Sequence, residues 1–147
     1  MRRLRLIIII TALLLFSSSV LTAQQKEFVV IVNNSVLENS INQSTLQKIF
    51  LGKKIQWDNG DAIVPVTLKE GDVHEAFLDE VVKKSPSAFS SFWISQLYTG
   101  KAVPPPSYEN DEQVKQVVEQ TRGAVGYISK EAMGKDSSEV KILEVLK

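Results

Sequence analysis

The sequence predicts one α/β domain, and three observations carry that prediction. Short β-branched apolar runs alternate with stretches of helical periodicity along the chain. Glycine, proline and Asx or Ser caps fall at the joints between them. The composition is that of a globular protein, with 44% hydrophobic and 23% charged residues in 147.

Taken in order, Phe28 to Val32 reads FVVIV, a continuous run suited to a strand buried on both faces, as in a parallel sheet covered by helices. Asn33, Asn34 and Ser35 end it, at the carboxyl end of a strand where open sheets bind ligands. Ser44 to Gln47 has capping-box spacing, and Leu46, Ile49 and Phe50 share a helical face that Gly52 terminates. Asp58-Asn59-Gly60 is a turn signal. Ile63 to Leu68 is predicted as a second strand, with Pro65 marking an edge or an irregularity.

Asp72 to Glu75 is a second capping box, and Val73, Phe77 and Val81 form the stripe of the helix behind it. Ser85-Pro86 opens a third helix with apolar positions Phe89, Phe92, Trp93 and Leu97, stopped at Gly100. Pro104 to Pro106 is a stiff extended connector. Asn110 caps a fourth helix with Val114, Val117 and Val118, which ends at Gly123. Ala124 to Ile128 is a third strand, and Val140 to Val145 a fourth. The expected core comprises Val30, Val32, Ile49, Phe50, Val64, Phe77, Phe92, Trp93, Val117 and Val125.

The N-terminus is of another kind. Arg2, Arg3 and Arg5 precede the apolar run Leu6 to Phe16, and small residues lead to Ala23 before Gln24-Gln25-Lys26. That is the layout of a secretory signal cut after Ala23, so residues 1–23 are read as a signal peptide and 24–147 as the domain. The alternative is a retained anchor, although the apolar run falls short of the about 20 residues a span needs. Removing residues 1–23 takes three arginines and no acid, which turns a net charge of zero into −3. No basic excess is left to attract nucleic acid.

The chemistry inventory is sparse. The chain has no cysteine and one histidine, His74, so a transition-metal site is not expected. His74 is expected to be exposed. No G-x-S-x-G elbow, dinucleotide loop or Walker pattern is present, so neither an enzyme nor a cofactor is expected. The one promising junction runs from the strand at Ile63–Leu68 through Lys69-Glu70-Gly71 into the next helix. There the backbone N–H groups of Gly71, Asp72 and Val73 point outward at the positive end of the helix dipole, with Thr67 and Lys69 as possible side-chain donors. Asp72, as the cap, would compete for those donors. Trp57 either folds over the core edge or stays exposed, and Arg122 is placed for its own helix's C-terminal dipole or for a ligand or partner.

Several segments together resemble the phosphate-type substrate-binding proteins of ABC transporters. They are Ile49-Phe50-Leu51-Gly52-Lys53, Trp57-Asp58, Ile63-Val64-Pro65-Val66, Phe77, Phe92-Trp93, Thr99-Gly100-Lys101 with the prolines after it, and Gly123 to Ile128. The resemblance runs from about Phe28 to Lys130 and is closest to short, single-domain members. It implies a single periplasmic-binding-protein-like lobe, a small mixed sheet flanked by helices, where ordinary members have two lobes and hold an oxyanion between them. It also implies a periplasmic, non-enzymatic protein that binds phosphate or another oxyanion beside a transporter, porin or other envelope protein. The family's Ser-Gly-Thr oxyanion loop falls on Gly71, Asp72 and Val73, so both hydroxyl donors are replaced. Its upstream arginine falls on Thr67 or Leu68. The alternative is an interaction module that kept the lobe and lost the ligand.

Overall fold

The computed structural model describes residues 26–134 and 139–147. The proposed signal segment, residues 1–23, lies outside them. Strand β1 (Phe28–Val32) is central, and its burial deepens along the run until Val30, Ile31 and Val32 are closed off from solvent. It pairs antiparallel with β6 (Ala124–Ser129) and with β7 (Lys141–Ile142). Strand β3 (Val64–Pro65) joins β6 in parallel, giving the mixed order β3-β6-β1-β7. The apolar run at β1 is therefore buried on both faces as predicted, but its partners run antiparallel. Coverage by helices makes a strand apolar throughout; strand direction does not.

Neighbouring residues of β6 show how the sheet is covered. A side chain at Gly126 would run into Val66 and into Val114 and Val118 of helix α4 (Asp111–Gln120). The next residue, Tyr127, points the other way, as strand alternation requires. Its ring stacks on Phe77 at 3.7 Å and meets Phe50 edge-on at 5.8 Å. Phe50 ends helix α1 (Gln43–Phe50), and Phe77 ends helix α2 (Asp72–Phe77). Thus α4 covers one face and α1 with α2 the other. Each fully buried aromatic contributes about 1.5–3 kcal/mol of transfer free energy.

Both predicted strands that follow β1 and β6 in the core change partners midway. Val66 still donates to Val125, but Thr67 donates to Pro106, so the run Ile63–Leu68 splits into β3 and β4 (Thr67–Leu68). Strand β4 pairs in parallel with β5 (Ser107–Tyr108). Likewise Leu143 donates to Val30 while Glu144 donates to Asn39. The run from Val140 to Val145 thus becomes β7 and β8 (Glu144–Leu146), and β8 pairs in parallel with β2 (Ser40–Asn42).

Helix α3 (Pro86–Tyr98) begins as predicted, with the Ser85 hydroxyl accepting from the Ala88 N–H at 3.2 Å. Asn110 caps α4 in the same manner, accepting from Gln113 at 3.0 Å. Neither predicted capping box forms. Helix α1 starts from Asn42 and α2 from Gly71, both without a side-chain cap bond, so Asp72 is the first helical residue and not the cap. After Phe77 the α2 helix continues as a π-helical turn, Leu78–Val82, and stops at Lys83 in the left-handed region. A short final helix, α5, spans Lys130–Met133.

Most of the expected core is buried, but Val64, Phe92 and Val117 are only partly covered and pack against its rim. Leu97, an apolar position of the predicted stripe on α3, is exposed. Trp57 folds inward, and its indole N–H donates to the Gly123 carbonyl at 2.9 Å. Gly123 has φ +74°, and a Cβ there would collide with the Ala62 carbonyl, so this joint admits glycine alone. Among the described residues, no helix is long and apolar enough to cross a membrane.

Candidate functional site

The turn from β4 into α2 is the candidate site, and the structure places its five predicted residues unequally. Gly71 has φ +104° with open space where a side chain would stand. The first intrahelical bond runs from Glu75 N to Gly71 O at 3.0 Å. The N–H groups of Gly71, Asp72, Val73 and His74 take no acceptor among the described residues. They are the orphan donors of a helix start. Gly71 and Asp72 are exposed, while the Val73 side chain is buried beneath them.

The two predicted side-chain donors are not directed at this turn. Thr67 is buried, and its hydroxyl donates at 3.4 Å to the Pro106 carbonyl, the neighbour that β4–β5 pairing sets beside it. Lys69 is exposed and binds Glu109 at 2.8 Å, a hydrogen bond and ion pair that raise its pKa. The side chains that do surround the turn are acidic: Glu70, Asp72 and Glu75 are all exposed. The Asp72 carboxylate makes no hydrogen bond to the helix start, so its effect on an anion there is through charge alone.

His74 is the residue that sequence reasoning misplaced. It is buried, 6% exposed, with Nδ1 at 2.6 Å from the Tyr127 hydroxyl. That hydroxyl also accepts from the Leu68 N–H at 3.3 Å, and the imidazole tautomer sets which group donates in the short bond between Tyr127 and His74. Burial lowers the His74 pKa, and burial pushes the Tyr127 phenol up beyond its ordinary range. This pair braces the first turn of α2 from inside and ties it to both β4 and β6. Nothing local marks it, because the partners stand 53 positions apart.

The cluster at the end of β1 is used structurally. Asn33 Nδ2 donates to the Val118 and Glu119 carbonyls at 2.8 and 2.7 Å, which satisfies the last turn of α4. Asn33 Oδ1 accepts from Ser35 N, and the Ser35 hydroxyl accepts from Gly123 N. Arg122 reaches Asp61 at 2.9 Å instead of its own helix end. No group of three or more His, Cys, Asp or Glu side chains suited to a metal occurs among the described residues.

No family model matches the chain, and no curated protein matches it in sequence. Solved structures do match its fold. A phosphate ABC transporter substrate-binding protein of Clostridium perfringens, determined with bound phosphate, superposes with a TM-score of 0.63 at 19% identity over 82% of this chain and 45% of that one. PstS of Borrelia burgdorferi matches at 0.63 with 14% identity, over 82% of this chain and 47% of its own. The phosphate-binding protein of Stenotrophomonas maltophilia gives 0.63 at 15% identity, over 82% and 39%. The chain spans less than half the length of each. Its fold is that of one lobe of the phosphate-type substrate-binding proteins, a small mixed sheet between helices.

Proposed function

We propose that the chain is an exported, non-enzymatic binding protein, a single lobe that takes phosphate or a related oxyanion weakly and works beside a transporter, porin or other envelope protein. The observation that carries this reading is the fold, shared with several phosphate-binding proteins including one solved with phosphate bound. The contact point is the open start of α2. There the N–H groups of Gly71, Asp72 and Val73 take no acceptor among the described residues, while Lys69 is engaged by Glu109 and Thr67 stands in the strand behind. Two features keep the affinity low. Glu70, Asp72 and Glu75 repel a dianion, and one lobe leaves its ligand exposed where pocket ligands lose most of their surface.

Calorimetric titration of the protein with phosphate and sulfate tests this. Asp72→Ser removes a charge that makes no bond to the helix, so phosphate affinity rises about tenfold, equivalent to about 1.4 kcal/mol. Titration from pH 5 to 8 separates a competitor from a proton acceptor. A wild type that binds tighter than the variant and weakens as pH rises makes Asp72 a ligand for protonated phosphate. Export is tested separately by intact mass, with a species beginning at Gln24 expected outside the cytoplasm.

A second reading is favoured by helix α3, which is free of charge and leaves most of its apolar side chains uncovered. It is an interaction module that has lost the ligand. No oxyanion heat from either wild type or Asp72→Ser selects it.

A further inference from the structure

The charges of this protein are segregated in a way that its net charge hides. The segments 39–57 and 81–108 hold six lysines, Lys48, Lys53, Lys54, Lys83, Lys84 and Lys101, and no acid. All 17 acids of the chain lie elsewhere. The fold packs these two segments together: the Gln47 side chain donates to the Val82 carbonyl at 2.9 Å, and the Gly52 turn abuts the Trp93 ring and Ala102. Only Lys54 of the six makes an ion pair among the described residues, with Asp58.

The same region carries five of the eight exposed large apolar side chains among the described residues. Helix α3 has no charged residue in 13 positions and buries only Phe89 and Trp93. Ile94, Leu97 and Tyr98, at helical spacings of three and four, are 56%, 52% and 87% exposed. Ile55 at 68% and Val103 at 77% line, with Trp93, a shallow groove of about 300 Å³. Lys84 lies over the Phe92 ring at 5.6 Å, and Lys101 follows the helix end directly.

We propose that this face seats on an anionic lipid surface, with Ile94, Leu97, Tyr98, Ile55 and Val103 entering the headgroup boundary and the lysines pairing with lipid phosphates. The apolar side chains protrude, and the lysines of these two segments are long, flexible and, Lys54 apart, in no ion pair among the described residues, which suits a fluid anionic plane better than a fixed set of carboxylates. A second copy is disfavoured because two lysine-rimmed faces repel each other. The acidic remainder of the molecule, repelled by the same surface, sets the orientation. The inference is independent of oxyanion binding.

The chain has no cysteine, so one introduced cysteine gives a unique labelling position. An environment-sensitive dye is attached in turn to Tyr98→Cys, Val103→Cys and, on the acidic side, Glu112→Cys of the full chain. Each is mixed with phosphatidylcholine vesicles with or without phosphatidylglycerol. The readout is local to each dye, so the first 25 residues do not decide it. The expected result is a blue shift at positions 98 and 103 on the anionic vesicles and none at 112. Lys53→Gln with Lys101→Gln weakens the response about 25-fold, about fivefold for each lysine. Silence at 98 and 103, an equal response to both vesicle types, or an equal shift at 112 overturns the proposal. A response to an acidic envelope protein with silence on vesicles also overturns it and makes the face a protein interface.

Discussion

Tyr127→Phe isolates the hydroxyl that joins β6, β4 and α2. The ring is fully buried and stacked on Phe77 at 3.7 Å, and phenylalanine keeps that stack. No cavity larger than one oxygen is created, so the transfer term is small. What is lost are two hydrogen bonds, the one shared with His74 Nδ1 at 2.6 Å and the one accepted from Leu68 N at 3.3 Å. A buried bond contributes about 1 kcal/mol net, and each partner left unpaired costs about 1–3 kcal/mol. The Leu68 contact is long and counts for less than the His74 contact. The variant should therefore lose about 2–4 kcal/mol. With a urea slope of about 2 kcal/mol/M, the midpoint falls by about 1–2 M at unchanged slope. Equilibrium urea unfolding followed by far-UV circular dichroism measures it. A loss below about 0.5 kcal/mol refutes the reasoning, because the hydroxyl would then be exchanging with water and the bracing of α2 would be gone from the account.

His74→Gln keeps a neutral hydrogen-bonding side chain at the first turn of α2 and removes the titration. Burial depresses the native His74 pKa below its unfolded value of 6.5, so wild-type stability is full above 6.5 and declines as pH falls below it. The variant should lose that component of the decline, read as a flatter difference between melting curves taken on either side of pH 6.5. An unchanged pH profile means the ring is solvated. Trp93→Ala removes a 5% exposed ring from between Phe89, Phe92 and the Gly52 turn, at a cost of about 3–5 kcal/mol. Its indole N–H has no acceptor among the described residues, so the loss is one of packing, and a change under about 1 kcal/mol in a denaturation curve excludes it from the core.

The local layer of this protein is written in its sequence. Strands β1 and β6 announce themselves because unbroken β-branched runs of that length have few other uses. The caps at Ser85 and Asn110 are readable because a cap bonds three residues ahead, within its own segment. The glycine joints at Gly52, Gly71 and Gly123 follow from a backbone conformation that other residues avoid. Capping boxes at Ser44 and Asp72 failed because the same side-chain pattern leaves open which residue is the last non-helical one.

Tertiary structure decided what depends on distant partners. The runs 63–68 and 140–145 are uniform in sequence, yet each divides between two sheets, because Pro106 and Asn39 arrive from elsewhere to take the next hydrogen bond. That switch at Val66 also turns the Thr67 hydroxyl away from the candidate site. His74 is buried only because Tyr127 meets it across the sheet face. Position along the chain shows where lysines and acids alternate, but only packing the segment around Gly52 against Trp93 brings the two acid-free segments together. Helical periodicity put Leu97 on the same apolar stripe as Phe89 and Trp93, yet it is exposed, since a helix with apolar residues on both sides gives no local sign of which side the rest of the protein will cover.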